Sequence, residues 1–155
     1  MLLFLAFCAC QFQGEVKNQR MAISIKVYPE DFEKNFYAIE WEDTIGNYLG
    51  YNEMPKQDRP FEIWCFVTNN EGDTLGYYRG LSSPRQFCYF QSDDDSVNIE
   101  FQIGPNPFSE ELYLNESFKE LIQKGPIKCS PLKLKLEKTI IEKDIVLPLI
   151  NKGEE

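Results

Sequence analysis

The sequence predicts an all-β domain, an antiparallel β-sandwich or a partly open barrel with one short helix. Three observations carry this. Several stretches alternate apolar and polar residues with period two, as half-buried strands do. Clusters of Asn, Gly, Pro and Ser punctuate those stretches as turns do. Only Asn115 to Lys124 spaces its apolar residues as a helix does and carries start and stop signals.

In chain order, Ile23, Ile25 and Val27 alternate with Ser24 and Lys26. Asn35 to Trp41 is an aromatic-rich strand candidate, and Tyr48 to Pro60, polar and with Pro55, reads as a long surface loop. Phe61 to Thr68 carries Phe61, Ile63, Cys65 and Val67 on one side and Trp64 and Phe66 on the other. A strand apolar on both faces is expected at the centre of a sheet. Asn69-Asn70-Glu71-Gly72-Asp73 is a hairpin loop leading into Thr74 to Arg79. After the turn Ser82-Ser83-Pro84 comes Arg85 to Phe90, again aromatic-rich. Val97, Ile99, Phe101 and Ile103 alternate with polar residues up to Gly104-Pro105-Asn106-Pro107, read as a turn. The helix has Ser117 three residues before Glu120, a capping box, and stops at Gly125-Pro126. Leu132, Leu134 and Leu136 alternate with Lys133, Lys135 and Glu137. Ile145 to Ile150 contains Pro148, which confines that strand to an edge or ends it. Seven or eight such strands suit a sandwich of immunoglobulin-like or transthyretin-like type.

The chain has 155 residues, enough for one domain with a real core, placed at residues 21–151. Its charge is 16 − 25 = −9, which argues against nucleic acid as a partner. There is no histidine, which excludes a Ser-His-Asp triad, a Cys-His pair and any imidazole-dependent metal site. No cofactor motif is present, and no catalytic residue stands out.

Residues 1–12 read MLLFLAFCACQF, uncharged and almost wholly apolar. The run is too short to span a bilayer, which takes about 20 residues, and matches a secretory signal core. Phe7-Cys8-Ala9-Cys10 resembles the lipobox of bacterial lipoproteins, in which small residues precede a cysteine that is acylated and becomes the new N-terminus. Ala9 before the cleaved bond favours Cys10 over Cys8. The resemblance implies a signal segment at 1–9, a lipid anchor and polar tether at 10–20, and residence at a bacterial cell envelope on the periplasmic or surface side. An upstream start codon would supply the basic residues that usually precede such a run.

Removal of Cys8 and acylation of Cys10 would leave Cys65, Cys88 and Cys129 in the domain. In an oxidising compartment Cys65 and Cys88, both in strand-like runs, are the best disulfide pair. The alternative is that all three are small buried hydrophobes. Tyr48, Tyr51, Tyr77 and Tyr78 flank turns and are candidates for a ligand surface, since exposed rings stack on sugars or line peptide grooves. Asp93, Asp94 and Asp95 are weak calcium candidates whose spacing is not that of an EF-hand. Glu40, Glu42, Glu62 and Glu100 are strand carboxylates of the type a glycosidase pairs. Gly104 to Phe108 is also similar to the opening of the type IX secretion sorting tail, without its glycine-rich continuation.

The leading reading is an exported, lipid-anchored β-domain that binds or scaffolds an envelope protein or glycan. The alternatives are a small carboxylate-dependent, glycan-active enzyme and a freely secreted inhibitor or effector. The mature protein is expected to begin at an acylated Cys10. Intact mass measured on protein from a native host checks this, and an N-terminus at Met1 or a lipid-free Cys10 contradicts it.

Overall fold

A computed structural model describes residues 22–31, 34–46, 55, 59–81, 86–106 and 125–147. The described residues form β1 (Ala22–Pro29), β2 (Phe36–Asp43), β3 (Phe61–Thr68), β4 (Thr74–Leu81), β5 (Gln86–Gln91), β6 (Ser96–Pro105), β7 (Ile127–Lys128), β8 (Leu132–Lys135) and β9 (Ile141–Val146). They make two antiparallel sheets, and no ladder joins the sheets into a barrel. Sheet one runs β5-β2-β1-β9; sheet two runs β4-β3-β6, with β7 and β8 sharing the far side of β6. β1, β2, β5 and β9 thus face β3, β4, β6, β7 and β8 as the two layers of a β-sandwich.

The period-two pattern explains the layering. Ile23, Ile25 and Val27 of β1, Ile39 and Trp41 of β2, and Cys88 and Phe90 of β5 face inward from sheet one. Opposite them stand Phe61, Ile63, Cys65 and Val67 of β3 and Val97, Ile99, Phe101 and Ile103 of β6. The four β3 residues are fully buried. Burying an apolar side chain of this size contributes about 1.5 to 3 kcal/mol. β3 lies between β4 and β6, so the central placement read from its two apolar faces holds. Trp41 spans the core from sheet one. Its ring meets Tyr78 of β4 edge-on at 5.0 Å and Phe101 of β6 at 5.4 Å.

The β3–β4 loop closes as its sequence implies. The Asn69 side-chain oxygen accepts from the amides of Glu71 and Asp73, and Gly72 takes φ +94°, a region that favours glycine. β4 then comes very close to the opposite sheet. A Cβ on Gly76 would lie 2.9 Å from the Tyr89 carbonyl oxygen and 2.9 Å from the Phe90 Cβ.

Four readings need adjustment. The last described strand, β9, begins at Ile141 rather than Ile145, because Ile141 to Val146 pairs with β1, and residues 148–150 of the expected strand lie outside the described residues. It is an edge strand, and exposed Lys143 occupies an inward register position between Ile141 and Ile145, which blunts the open edge. β6 continues through Gly104 and Pro105, which pair with Glu62 and Phe61. Asn106 behind them is buried, donating from its backbone to the Pro60 carbonyl at 2.8 Å and from its side chain to that of Arg59 at 2.9 Å. Arg59 and Pro60, read as surface loop, are therefore buried. Finally, β7 was not legible, because two paired residues carry no period. Cys129 lies opposite Phe101 and Leu132 opposite Ile99, so Ser130 and Pro131 together face Glu100, a bulge that seats the proline at a sheet edge. The helix expected at 115–124 lies outside the described residues.

Ile63→Ala is expected to lower stability by about 2 to 5 kcal/mol, because it empties a fully covered site. Lys133→Ala and Lys135→Ala, on the exposed side of β8, are expected to change it by no more than about 0.5 kcal/mol. Urea denaturation checks both, and lysine losses exceeding that of Ile63 would reverse inside and outside.

Candidate functional site

Alternation that sends one set of side chains into the core sends the other to the outer face of each sheet. On sheet one, β2 presents Phe36, Ala38, Glu40 and Glu42, and β5 presents Phe87 and Tyr89. β1 adds Ser24, Lys26 and Tyr28, and β9 adds Glu142 and Asp144. The register sets these in rows. Tyr28, Ala38 and Tyr89 form one row. Glu142, Lys26, Glu40 and Phe87 form the next, and Asp144, Ser24 and Glu42 a third.

One end of this face is aromatic. The Tyr89 ring stacks on Phe36 and on Phe87, each at 6.0 Å and within 13° of parallel. Tyr89 is 49% exposed, while Ala38 between Tyr28 and Tyr89 is wholly covered despite facing outward. The small residue serves as a floor between rings. The other end holds a shallow depression of about 300 Å³ whose charged lining is four carboxylates, Glu40, Glu42, Glu142 and Asp144, against two lysines, Lys26 and Lys143, so it is acidic on balance. Lys26 pairs with Glu142 at 3.3 Å, and Ser24 donates to Asp144 at 2.7 Å. Stacked rings supply dispersion and π contact, and the adjoining carboxylates accept hydrogen bonds or attract cations.

The outer face of sheet two is organised differently. Glu62 is buried, and its Oε1 accepts from the Trp64 indole at 2.8 Å and from Arg79 Nε at 2.9 Å, with Arg79 Nη2 at 2.8 Å. The Arg79 guanidinium lies over the Trp64 ring at 5.0 Å. Each member of this trio satisfies another, which is what a buried carboxylate requires. Phe66 and Tyr77 lie beside it with ring centres 5.2 Å apart.

The residues singled out from sequence are dispersed. Tyr48 and Tyr51 lie outside the described residues. Tyr77 is exposed on sheet two, while its neighbour Tyr78 turns inward onto Trp41, since adjacent strand residues face opposite ways. Burial raises the Tyr78 pKa. Glu40 and Glu42 sit on sheet one, whereas Glu62 and Glu100 sit on sheet two, so these four border no common cleft. Asp93, Asp94 and Asp95 are all exposed. Asp93 accepts from Asn35 at 2.6 Å, and the Asp94 amide donates to Ser92 Oγ at 3.1 Å. Among the described residues no three Cys, Asp or Glu side chains come together as a metal-holding group. The stack of Phe36, Phe87 and Tyr89 escaped the sequence reading. Both aromatic-rich strands were legible, but their pairing was not.

Cys65, Cys88 and Cys129 are all buried as free thiols. Burial pushes Cys65 well up, and the hydrogen bond it donates to Cys88 pushes it further. The same bond lowers Cys88 against the opposing effect of burial. Cys129 is pushed up to about 12 by burial and by the charge of Glu100. No protein-family model and no curated protein matches the chain.

The Cys129 shift has a pH signature. Its folded-state value lies above that of the unfolded chain, near 8.5, so the folded state keeps a proton that the unfolded chain releases. That contribution is complete below about pH 8 and is lost as pH rises toward about 12. The urea midpoint is expected to fall between about pH 8 and pH 10.5 more steeply in the wild type than in Cys129→Ala. Equal slopes would remove the assignment.

Proposed function

We propose that this chain is an exported, lipid-tethered binding module of the bacterial cell envelope, and that the outer face of sheet one is its binding surface. The observation that carries the reading is the ring stack Phe36–Tyr89–Phe87 set directly beside the acidic depression. A half-exposed tyrosine held between two parallel rings offers a preorganised contact at little entropic cost. The carboxylates at the other end give the same face orientation and polarity. The partner is an envelope protein or glycan that meets both ends.

The tether supports this role. Acylation at Cys10 would leave residues 11–21 between the lipid and β1, a polar stretch after Phe12. A coil of about 10 residues would reach some 15 to 20 Å, enough to hold a domain clear of a membrane surface. A catalytic reading draws less support, because Glu40 and Glu42 belong to a different sheet from Glu62 and Glu100.

A photo-crosslinking residue placed at Tyr89 in host cells is expected to capture an envelope component. The same residue at Lys135, on the far sheet, is expected to capture far less. Phe36→Ala and Phe87→Ala should each reduce capture of that component at least several-fold while leaving the melting curve intact. Equal capture at both positions would end the assignment of this face.

A further inference from the structure

We infer that Cys65 and Cys88 are an oxidation site that closes, under oxidising conditions, into a disulfide joining β3 at the centre of sheet two to β5 at the edge of sheet one. Both residues face inward, from opposite sheets, and are almost completely buried. Each thiol shifts the other, Cys65 upward and Cys88 downward, as two groups close together do. A disulfide needs Cα atoms within about 7 Å, less than the mean separation of about 10 Å between facing sheets. Here the sheets close up at one edge. A Cβ on Gly76 would lie 3.3 Å from the Cys88 sulfur as well as 2.9 Å from the Tyr89 carbonyl oxygen, so the β4 backbone abuts β5 with no side chain between. Cys65 lies one strand in from that edge, with Tyr78 of β4 as its partner.

The third thiol does not compete. Cys129 shares a row with Cys65, but Phe101 of β6 stands between them, which puts it two strands away, roughly 10 Å. The reaction is thiol–disulfide exchange. One cysteine attacks the disulfide of an oxidant, such as oxidised glutathione or a protein disulfide, and one oxidant sulfur leaves as a thiol. The second cysteine then displaces the other oxidant sulfur. The protein loses two protons and two electrons, and the oxidant departs fully reduced. Burial in the finished fold places this step before the sheets close.

The bond would have a structural consequence. Among the described residues β5 pairs with β2 alone within its sheet, and Cys88 stands between Phe87 and Tyr89. A bridge from Cys88 to β3 would fix the strand that carries two of the three stacked rings. The inference needs neither that surface nor export to be correct, because it is tested by refolding.

Purified protein is unfolded, reduced and refolded in a glutathione redox buffer. Remaining thiols are then alkylated in denaturant, and the digest is analysed by mass spectrometry. The expected product links Cys65 to Cys88 and carries an alkylated Cys129. Alkylation of both Cys65 and Cys88, or a bridge that includes Cys129, overturns the inference. Dithiothreitol should lower the melting midpoint of the wild type and of Cys129→Ser, and leave that of a Cys65→Ala, Cys88→Ala double variant unchanged. A wild-type midpoint insensitive to reductant also overturns it. A bridge that forms on refolding but is absent in host cells supports the site and counts against export.

Discussion

The pairing of β3 with β6 is the constraint on which the rest of the sandwich depends. Ile63 lies opposite Ile103, Cys65 opposite Phe101, and Val67 opposite Ile99, so two adjacent strands commit their entire inward sets to one core. A slip of one residue would turn Trp64 and Glu62 inward and the isoleucines outward. The outer face guards against that slip. Glu62 is neutralised only where Arg79 and the Trp64 indole reach it, and Trp64 fits only where Gly104 leaves room, with a Cβ there 3.3 Å from the ring. Core and outer face thus select the same register.

Trp41 transmits that arrangement to the other sheet. Its ring is the largest fully buried side chain and touches β4 and β6 together, so the two sheets cannot slide without breaking both edge-on contacts. Gly76 sets the separation at the β4–β5 edge, where any side chain would collide with the opposing backbone. The proposed binding face and the proposed disulfide both follow from this geometry. Cys88 points into the narrow edge, and Phe87 and Tyr89, one residue to either side, point out of it.

Electrostatics divide the two outer faces. Sheet two buries Glu62 and pairs it with Arg79, leaving a self-contained cluster. Sheet one leaves its charges hydrated, and Lys26–Glu142 is exposed on both sides, where an ion pair contributes about 0 to 1 kcal/mol. Charges held so weakly are available to a partner at small cost, whereas breaking the Glu62 contacts would strand a buried charge.

Much of this was legible from the residues alone. Period-two alternation identified the core faces of β1, β6 and β8, and two apolar faces marked β3 as central. Asn69 to Asp73 announced its hairpin, and the sequence by itself determined that the fold is built of half-buried antiparallel strands. The strand-like surroundings of Cys65 and Cys88 made them the best candidates for a disulfide pair but gave no distance. What local pattern cannot express is pairing between distant segments. Glu142-Lys143-Asp144 carries no apolar alternation and becomes strand because β1 offers it a ladder. Tyr77 and Tyr78 read as one surface and are parted by the pleat. Phe36 and Tyr89, 53 positions apart, are brought into one stack by the β2–β5 register. Alternation says which side of a strand a residue faces, and only the tertiary arrangement of strands decides what that side meets.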